Sequence, residues 1–204
     1  MRDCDIPTEV RRHFPAAFHG YALEIGAADG TYLDNTATLE NLGWSVLCIE
    51  PNPDYYAILK DSRKITLNVA CAAKNANYQD LLIYSSPGVG IPRAISALEL
   101  LTPEFVTQFS PGARVDRSVK VNVRTLDWCL EEVKFPRLDF LSLDVDGIEM
   151  EVLKGFDLAR WQLKVAAIEN PFKSRLLRRY FLSQGFTLTG ETPVNDIWVR
   201  MESA

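Results

Sequence analysis

The stretch Tyr21-Ala22-Leu23-Glu24-Ile25-Gly26-Ala27-Ala28-Asp29-Gly30-Thr31 decides how the chain is read. Its apolar first half predicts a short buried strand, and the glycines after it predict a tight turn leading into a helix. Gly26 and Gly30 allow the backbone to turn sharply and to approach a ligand closely. Strand, turn and helix in this order form the nucleotide-binding corner of a doubly wound α/β sheet. The dinucleotide fingerprint G-x-G-x-x-G fails, because position 28 is Ala and no third Gly follows in register. What stands instead is Glu24-x-Gly26-x-x-Asp29-Gly30. Two carboxylates here would repel a pyrophosphate and suit a ligand with a cationic amino-acid end. A turn kept for backbone geometry alone stays open at this point.

Downstream, residues 32–42 carry Leu33, Ala37 and Leu42 at helical spacing, with Gly43 as a stop. Residues 45–50 read as a second buried strand closed by Pro51-Asn52-Pro53, 54–60 as a short helix and 65–70 as a third strand. Strands alternating with helices predict a parallel sheet with right-handed crossovers. The rhythm then changes. Residues 78–84 and 118–123 look like strands separated by roughly 33 residues rich in Pro and Gly, a length that in a compact domain is usually functional. Residues 85–118 are therefore expected to form a lid or an acceptor-binding insertion. A helix over 125–132 with Thr125 as N-cap follows, then a strand over 138–144, a helix over 149–156 and a strand over 165–169. A helix over about 174–184 and a closing antiparallel pair end the pattern. With no repeat or low-complexity tract, the expectation is one domain over 1–204, with 1–20 as an N-terminal segment. The expected fold is α/β: a doubly wound, mostly parallel sheet closed by two antiparallel strands.

Composition narrows the classes. Apolar residues make up 47% and charged residues 24%, ordinary for a globular chain with a developed core. A net charge of −5 argues against a broad nucleic-acid footprint, although Arg175, Arg178 and Arg179 form a local basic cluster. Cys4, Cys48, Cys71 and Cys129 show no metal spacing and read as core thiols in a reducing compartment. No signal-like segment and no 18-residue apolar run occurs, so a cytoplasmic location without a membrane segment is expected.

Acidic and amide side chains gather where strands end. Glu50 closes the second strand about 20 residues after the glycine turn, where a carboxylate with two acceptor oxygens can take both hydroxyls of a ribose. Asn68, Val69 and Ala70, at the end of the third strand, would flank an adenine. Asp144, Asp146 and Glu149 crowd between a strand and a helix, and Glu169-Asn170 ends the neighbouring strand. Acids at a helix start are also favoured by the helix dipole alone, so stability is a competing reason for them.

The Gly26 turn resembles motif I of the class I S-adenosylmethionine-dependent methyltransferases. Leu23-Glu-Ile-Gly-Ala-Ala-Asp-Gly30, Asn35-Thr36, Gly43-Trp44, Ile49-Glu-Pro-Asn-Pro53, Thr125-Leu-Asp127, Leu143-Asp-Val-Asp-Gly-Ile-Glu149 and Asn195-Asp-Ile-Trp-Val-Arg200 together resemble the FkbM family of methyltransferases. The similarity runs from about Tyr21 to Arg200, nearly the whole chain. It implies a class I fold, S-adenosylmethionine as methyl donor, and a hydroxyl acceptor on a sugar, glycan or natural product. The cofactor residues it implies are Glu24, Gly26, Ala27, Asp29, Gly30, Asn35, Glu50, Pro51, Asn68, Val69, Ala70 and Asp144. Asp146 departs from the family, which more often has Glu there.

A hydroxyl is a poor nucleophile and needs a base or a metal. His19 precedes the first strand and so belongs to the wrong edge of the sheet, and His13 could reach the site only through a folded-over N-terminus. The candidate catalytic groups are therefore Asp144, Asp146 and Glu169. Asp144 with Glu169-Asn170 also resembles the metal layout of catechol-type O-methyltransferases, which implies Mg²⁺ on Asp144, Glu169 and Asn170; carboxylates bonded to backbone amides without a metal remain the alternative. Ser96 aligns loosely with a Ser of the family's variable region. Two other functions stay open: an RNA ribose methyltransferase, disfavoured by the acidic charge, and a non-catalytic binding domain of the same fold.

Overall fold

The computed structural model describes residues 5–31, 34–85, 96–98, 102–109 and 111–201. In chain order its elements are α1 (Ile6–Arg11), β1 (Tyr21–Ile25), α2 (Ala37–Asn41), β2 (Ser45–Ile49), α3 (Pro53–Ser62), β3 (Ile65–Leu67), β4 (Ala70–Cys71), β5 (Ala76–Ser85) and β6 (Ser96–Ala97). They continue with α4 (Pro103–Phe109), β7 (Arg114–Arg124), α5 (Leu126–Glu132), β8 (Phe140–Leu143), α6 (Glu149–Leu153), β9 (Val165–Glu169), α7 (Arg175–Ser183), β10 (Phe186–Glu191) and β11 (Asn195–Arg200).

The main sheet has seven strands in the order β10-β11-β9-β8-β1-β2-β3. β1 pairs in parallel with β2 on one side and β8 on the other, while β11 joins β9 antiparallel and β10 joins β11 antiparallel. The expected doubly wound sheet with a closing antiparallel pair is what forms. The central strands can be apolar throughout because both faces are covered: one packs on α5, α6 and α7 through Leu23, Leu141, Ile168 and Phe181, the other on α1, α2 and α3 through Val10, Leu39 and Leu59. After β3 the chain returns to the other side of β1, so the order reverses between β1 and β8. Their carboxyl ends open the crevice in which such sheets bind ligands.

Two expectations change in detail. The helix expected over 32–42 spans only Ala37–Asn41 among the described residues, because both oxygens of Asp34 accept from Ala37 N and delay the first turn. The strand expected over 65–70 is two strands in two sheets: β3 extends the main sheet, and β4 enters a second, four-stranded sheet in the order β4-β7-β5-β6. In that sheet β5 and β7, the two strands flanking the expected insertion, pair antiparallel. Within the 85–118 insertion, 86–95, 99–101 and 110 lie outside the described residues. The described parts form β6 and α4, with β6 paired to β5. Cys4 also lies outside the described residues, and Cys48, Cys71 and Cys129 are buried free thiols, as a core role requires.

Candidate active site

A cavity of ≈ 310 Å³ opens at the carboxyl ends of β1, β2, β8 and β9 and is roofed by the second sheet. Its floor comes from Ile25, Gly26, Ala28, Glu50, Val69, Ala70, Ser142, Asp144, Val145, Asp146 and Glu169, and its roof from Leu81, Ser96, Ala97, Leu98 and Phe105. Five carboxylates line it (Glu24, Glu50, Asp144, Asp146 and Glu169), and no Lys, Arg or His does so among the described residues.

The turn after β1 is tied to β2, since Gly26 N and Ala27 N both donate to Ile49 O at 3.0 and 3.1 Å. Gly26 has φ +79°, and a Cβ there would collide with the carbonyl oxygen of Asp144. Glycine is required at this close approach of two strand ends. Ala28 follows at φ 46° and donates its N–H to Glu50 Oε2 at 2.9 Å, while Asn52 N donates to Oε1 at 2.8 Å. Glu50 is thereby fixed with one lone pair on each oxygen left over. Burial raises its pKa to about 7, against the lowering effect of those two N–H donors.

Glu24 lines the cavity but is engaged beneath it. Its Oε1 accepts from Asn35 N at 2.9 Å, its Oε2 accepts from the Thr36 hydroxyl, and Arg63 Nη1 lies 3.6 Å away. Arg63 is buried and also binds Asp34 Oδ1 at 2.7 Å and Glu40 Oε2 at 3.1 Å. Burial and the nearby Asp34 charge raise the Glu24 pKa to about 7. Asn35 lines the cavity and donates through Nδ2 to Ser142 Oγ at 3.1 Å.

At the other end, ligand oxygens of Asp144, Asp146 and Glu169 all lie within 4.8 Å of one another. Asp146 holds φ 56°, an uncommon conformation for a residue with a side chain. Glu169 is buried, and its Oε2 has no hydrogen-bond partner. Its pKa is pushed up to about 11, first by burial and then by the charges of Asp144, Glu149 and Asp146. Asp146 is raised well above its ordinary value by burial and by Asp144, Glu149 and Glu50. Asp144 is raised by burial and held back by a hydrogen bond from Glu169. Burial and mutual repulsion thus push Asp144, Asp146 and Glu169 all towards their protonated forms.

The remaining expected residues divide. Pro51, Val69 and Ala70 line the cavity. Ala27 is buried in the core behind the turn. Asp29 is outside the lining, with its Oδ1 accepting from Thr31 N at 2.8 Å. Gly30 approaches α3 rather than the cavity, since a Cβ there would stand 2.6 Å from Ser62 Oγ. Asn68 donates to Glu50 O at 2.8 Å and so holds the end of β2. Asn170 is turned away from the acid cluster: its Oδ1 accepts from Ser174 N at 2.7 Å and its Nδ2 donates to Asp196 Oδ2 at 2.7 Å. Both amide atoms of Asn170 are thus engaged with Ser174 and Asp196, while Asp146 stands beside Asp144 and Glu169. His13 and His19 lie outside the lining, His19 against Gly43 at the opposite edge of the sheet. Ser96 does face the cavity.

Sequence reasoning missed Arg63, Ala28, Ser142, Tyr55 and the apolar roof. Ser142 had a signal, as the single polar residue in the buried strand Phe140-Leu-Ser-Leu143. Arg63 had none, because its partners are set by tertiary contacts.

The reversed strand order and a cavity at the carboxyl edge define a class I methyltransferase fold, and a structural likeness agrees. The methyltransferase FkbM of Methylobacillus flagellatus KT superposes with a TM-score of 0.55 at 15% identity, over 89% of this chain and 43% of that one. The chain thus spans less than half of that protein's length. The model of the methyltransferase FkbM domain matches residues 24–188, and the chain belongs to that family. A precorrin-6y C5,15-methyltransferase from Geobacter metallireducens GS-15 is similar at TM-score 0.49 and 11% identity, over 99% of this chain and 90% of that one. TrmK of M. capricolum, solved with S-adenosyl-homocysteine, is similar at TM-score 0.45 and 11% identity, over 95% and 65%. No curated protein sequence matches the chain.

Proposed function

We propose that this methyltransferase uses S-adenosylmethionine to methylate a hydroxyl of a sugar, glycan or related natural product. The observation that carries the reading is the cavity lining of five carboxylates without a cationic side chain among the described residues. Such a lining favours a ligand with positive charge, and the donor brings a sulfonium and an ammonium. The residues fit it otherwise too. Glu50 keeps a free lone pair on each oxygen for the two ribose hydroxyls, Pro51, Val69 and Ala70 offer an apolar place for the adenine, and Gly26 leaves room for close backbone approach.

Bound S-adenosylmethionine supplies an electrophilic methyl group. The chain's own residues hold the acceptor oxygen in line with it, which accounts for much of the acceleration, and take the acceptor's proton. Asp144, which lines the cavity just beyond β8 with Asp146 and Glu169 oxygens within 4.8 Å, is the proton acceptor, and Glu169 beside it orients it. An acceptor with phosphates, such as RNA, meets five carboxylates and no cationic side chain among the described residues, which disfavours that alternative. A non-catalytic role leaves the clustering of Asp144, Asp146 and Glu169 without a purpose. Buried free thiols fit a cytoplasmic setting.

One observation favours a second reading of acceptor activation. Oxygens of Asp144, Asp146 and Glu169 lie close enough to share one divalent cation such as Mg²⁺. Held there, the ion would lower the pKa of the acceptor hydroxyl. Calorimetry with S-adenosylmethionine and S-adenosylhomocysteine, followed by a glycan-array methylation screen, tests the function. Absence of binding by both nucleosides would overturn it.

A further inference from the structure

The basic cluster Arg175, Arg178 and Arg179 has no part in the cavity. From Pro171 to Gly190 the chain has no Asp or Glu, although its net charge is −5. Helix α7 packs inward through Leu177 and Phe181, the latter stacked on Trp198 with ring centroids 5.2 Å apart. Arg178 also turns inward, with Nε 3.0 Å from Asp196 Oδ2 and a second bond to Glu191. Arg175 and Arg179 are exposed and make no ion pair among the described residues. At positions i, i+4 and i+7 they share one side of the helix with Leu182, which is 58% exposed, and Leu176 flanks them at 64%. Of the eight large apolar residues exposed among the described ones, four belong to this region: Phe172, Leu176, Leu182 and Met201. Phe172, ahead of the helix, packs on Phe105, whose side chain lines the cavity.

We infer that the outer face of α7 is a peripheral docking surface for an anionic lipid bilayer, which brings the cavity mouth to acceptors held at that bilayer. Two unpaired guanidinium groups on an otherwise acidic protein supply charge complementarity to acidic headgroups. Their long stems leave Leu176 and Leu182 free to enter the boundary between headgroups and acyl chains, the arrangement of an interfacial helix. A second copy of the chain fits poorly, because a two-fold contact on this face sets arginines against arginines. Nucleic acid would use the arginines and leave the leucines in water.

Sedimentation with vesicles of phosphatidylcholine alone, and of phosphatidylcholine mixed with phosphatidylglycerol, tests the inference. The protein is expected to bind the mixed vesicles and not the neutral ones, with affinity falling as salt rises. Arg175→Ala with Arg179→Ala should bind the mixed vesicles about thirtyfold more weakly. Leu176→Ser with Leu182→Ser should also weaken binding. All four side chains are exposed and outside the cavity, so each variant should keep the parent's thermal midpoint and its binding of S-adenosylhomocysteine. Those two controls separate this inference from the proposed methyl-donor site. The inference fails if the parent does not sediment with the mixed vesicles, or if the arginine variant binds them undiminished. It also fails if the leucine variant matches the parent and an RNA oligonucleotide displaces the protein from the vesicles, which would make the face a nucleic-acid surface.

Discussion

Gly26 and Asp144 meet where the first strand and its neighbour end: a Cβ on Gly26 would occupy the place of the Asp144 carbonyl oxygen. The contact holds the turn of β1 against the end of β8, with Asp144 N donating to Ile25 O at 3.2 Å. It sets the spacing of the crevice on which the methyltransferase reading rests.

Gly26→Ala should therefore separate two strand ends that the cavity needs close together. A side chain at a positive φ costs about 1–2 kcal/mol before any collision, and displacing a backbone oxygen adds to it. The expected loss of stability is about 2–4 kcal/mol by denaturant unfolding, with binding of S-adenosylhomocysteine lost. Unchanged binding and stability would mean that the two strand ends can move apart freely.

Arg63 is the buried centre of three carboxylates, Glu24, Asp34 and Glu40. Arg63→Met removes their one shared cation and leaves uncompensated charge inside the protein, which typically costs about 3–5 kcal/mol. Arg63→Lys keeps the charge and loses the planar fork, so an intermediate loss is expected. Chemical denaturation of both variants checks the order. If the Met variant is as stable as the parent, the three acids are solvated or protonated without help.

How far the sequence reaches is visible in these two residues. Gly26 was legible because it follows an apolar strand in a fixed local pattern, and strand-turn-helix order is a local property. The parallel sheet, the closing pair and Thr125 as the cap of α5 were legible for the same reason. Arg63 was not, since its partners lie 23 to 39 positions away and only the fold brings them together. Asn170 shows the same limit. Its place at a strand end is legible, but the bonds of its amide to Ser174 N and Asp196 follow from how α7 and β11 pack beside it. The split of β3 from β4 was not legible, because strand-forming residues over 65–70 do not say which sheet each part joins.

Glu50 gives the pH dependence. Its pKa in the folded protein, about 7, lies above its ordinary value of 4.5 because burial disfavours the carboxylate. A raised folded value means the protein binds more protons folded than unfolded in this window. The stabilising contribution is full below 4.5 and is lost as pH rises through about 7. Binding runs the other way, because the ionised carboxylate is the better acceptor for two ribose hydroxyls. Affinity for S-adenosylhomocysteine should rise between about pH 6 and about pH 8, and Glu50→Gln should flatten that rise. Glu50→Ala should weaken binding roughly ten- to a hundredfold at the upper end. Calorimetry across the range measures both; a parent curve as flat as that of the Gln variant would remove Glu50 from the ribose.

The acid cluster decides how the acceptor is activated, and its members differ enough to be told apart. With Asp144 as the proton acceptor, turnover persists in EDTA. Asp144→Asn is then severe, with a loss of about a hundred- to ten-thousandfold as for other general bases. Asp146→Asn should be milder there and even relieve charge repulsion among the three carboxylates. With a shared divalent cation, EDTA abolishes turnover, Mg²⁺ restores it, and Asp146→Asn is damaging because it removes a ligand oxygen's charge. Asn170→Ala separates either case from simple structural damage. Its amide accepts from the N–H of Ser174, the cap residue of α7, and holds Asp196, so its loss should lower stability by about 1–2 kcal/mol and leave the EDTA response of the enzyme unchanged. Full turnover in EDTA together with a harmless Asp144→Asn would exclude both routes and move the proton acceptor outside this cluster.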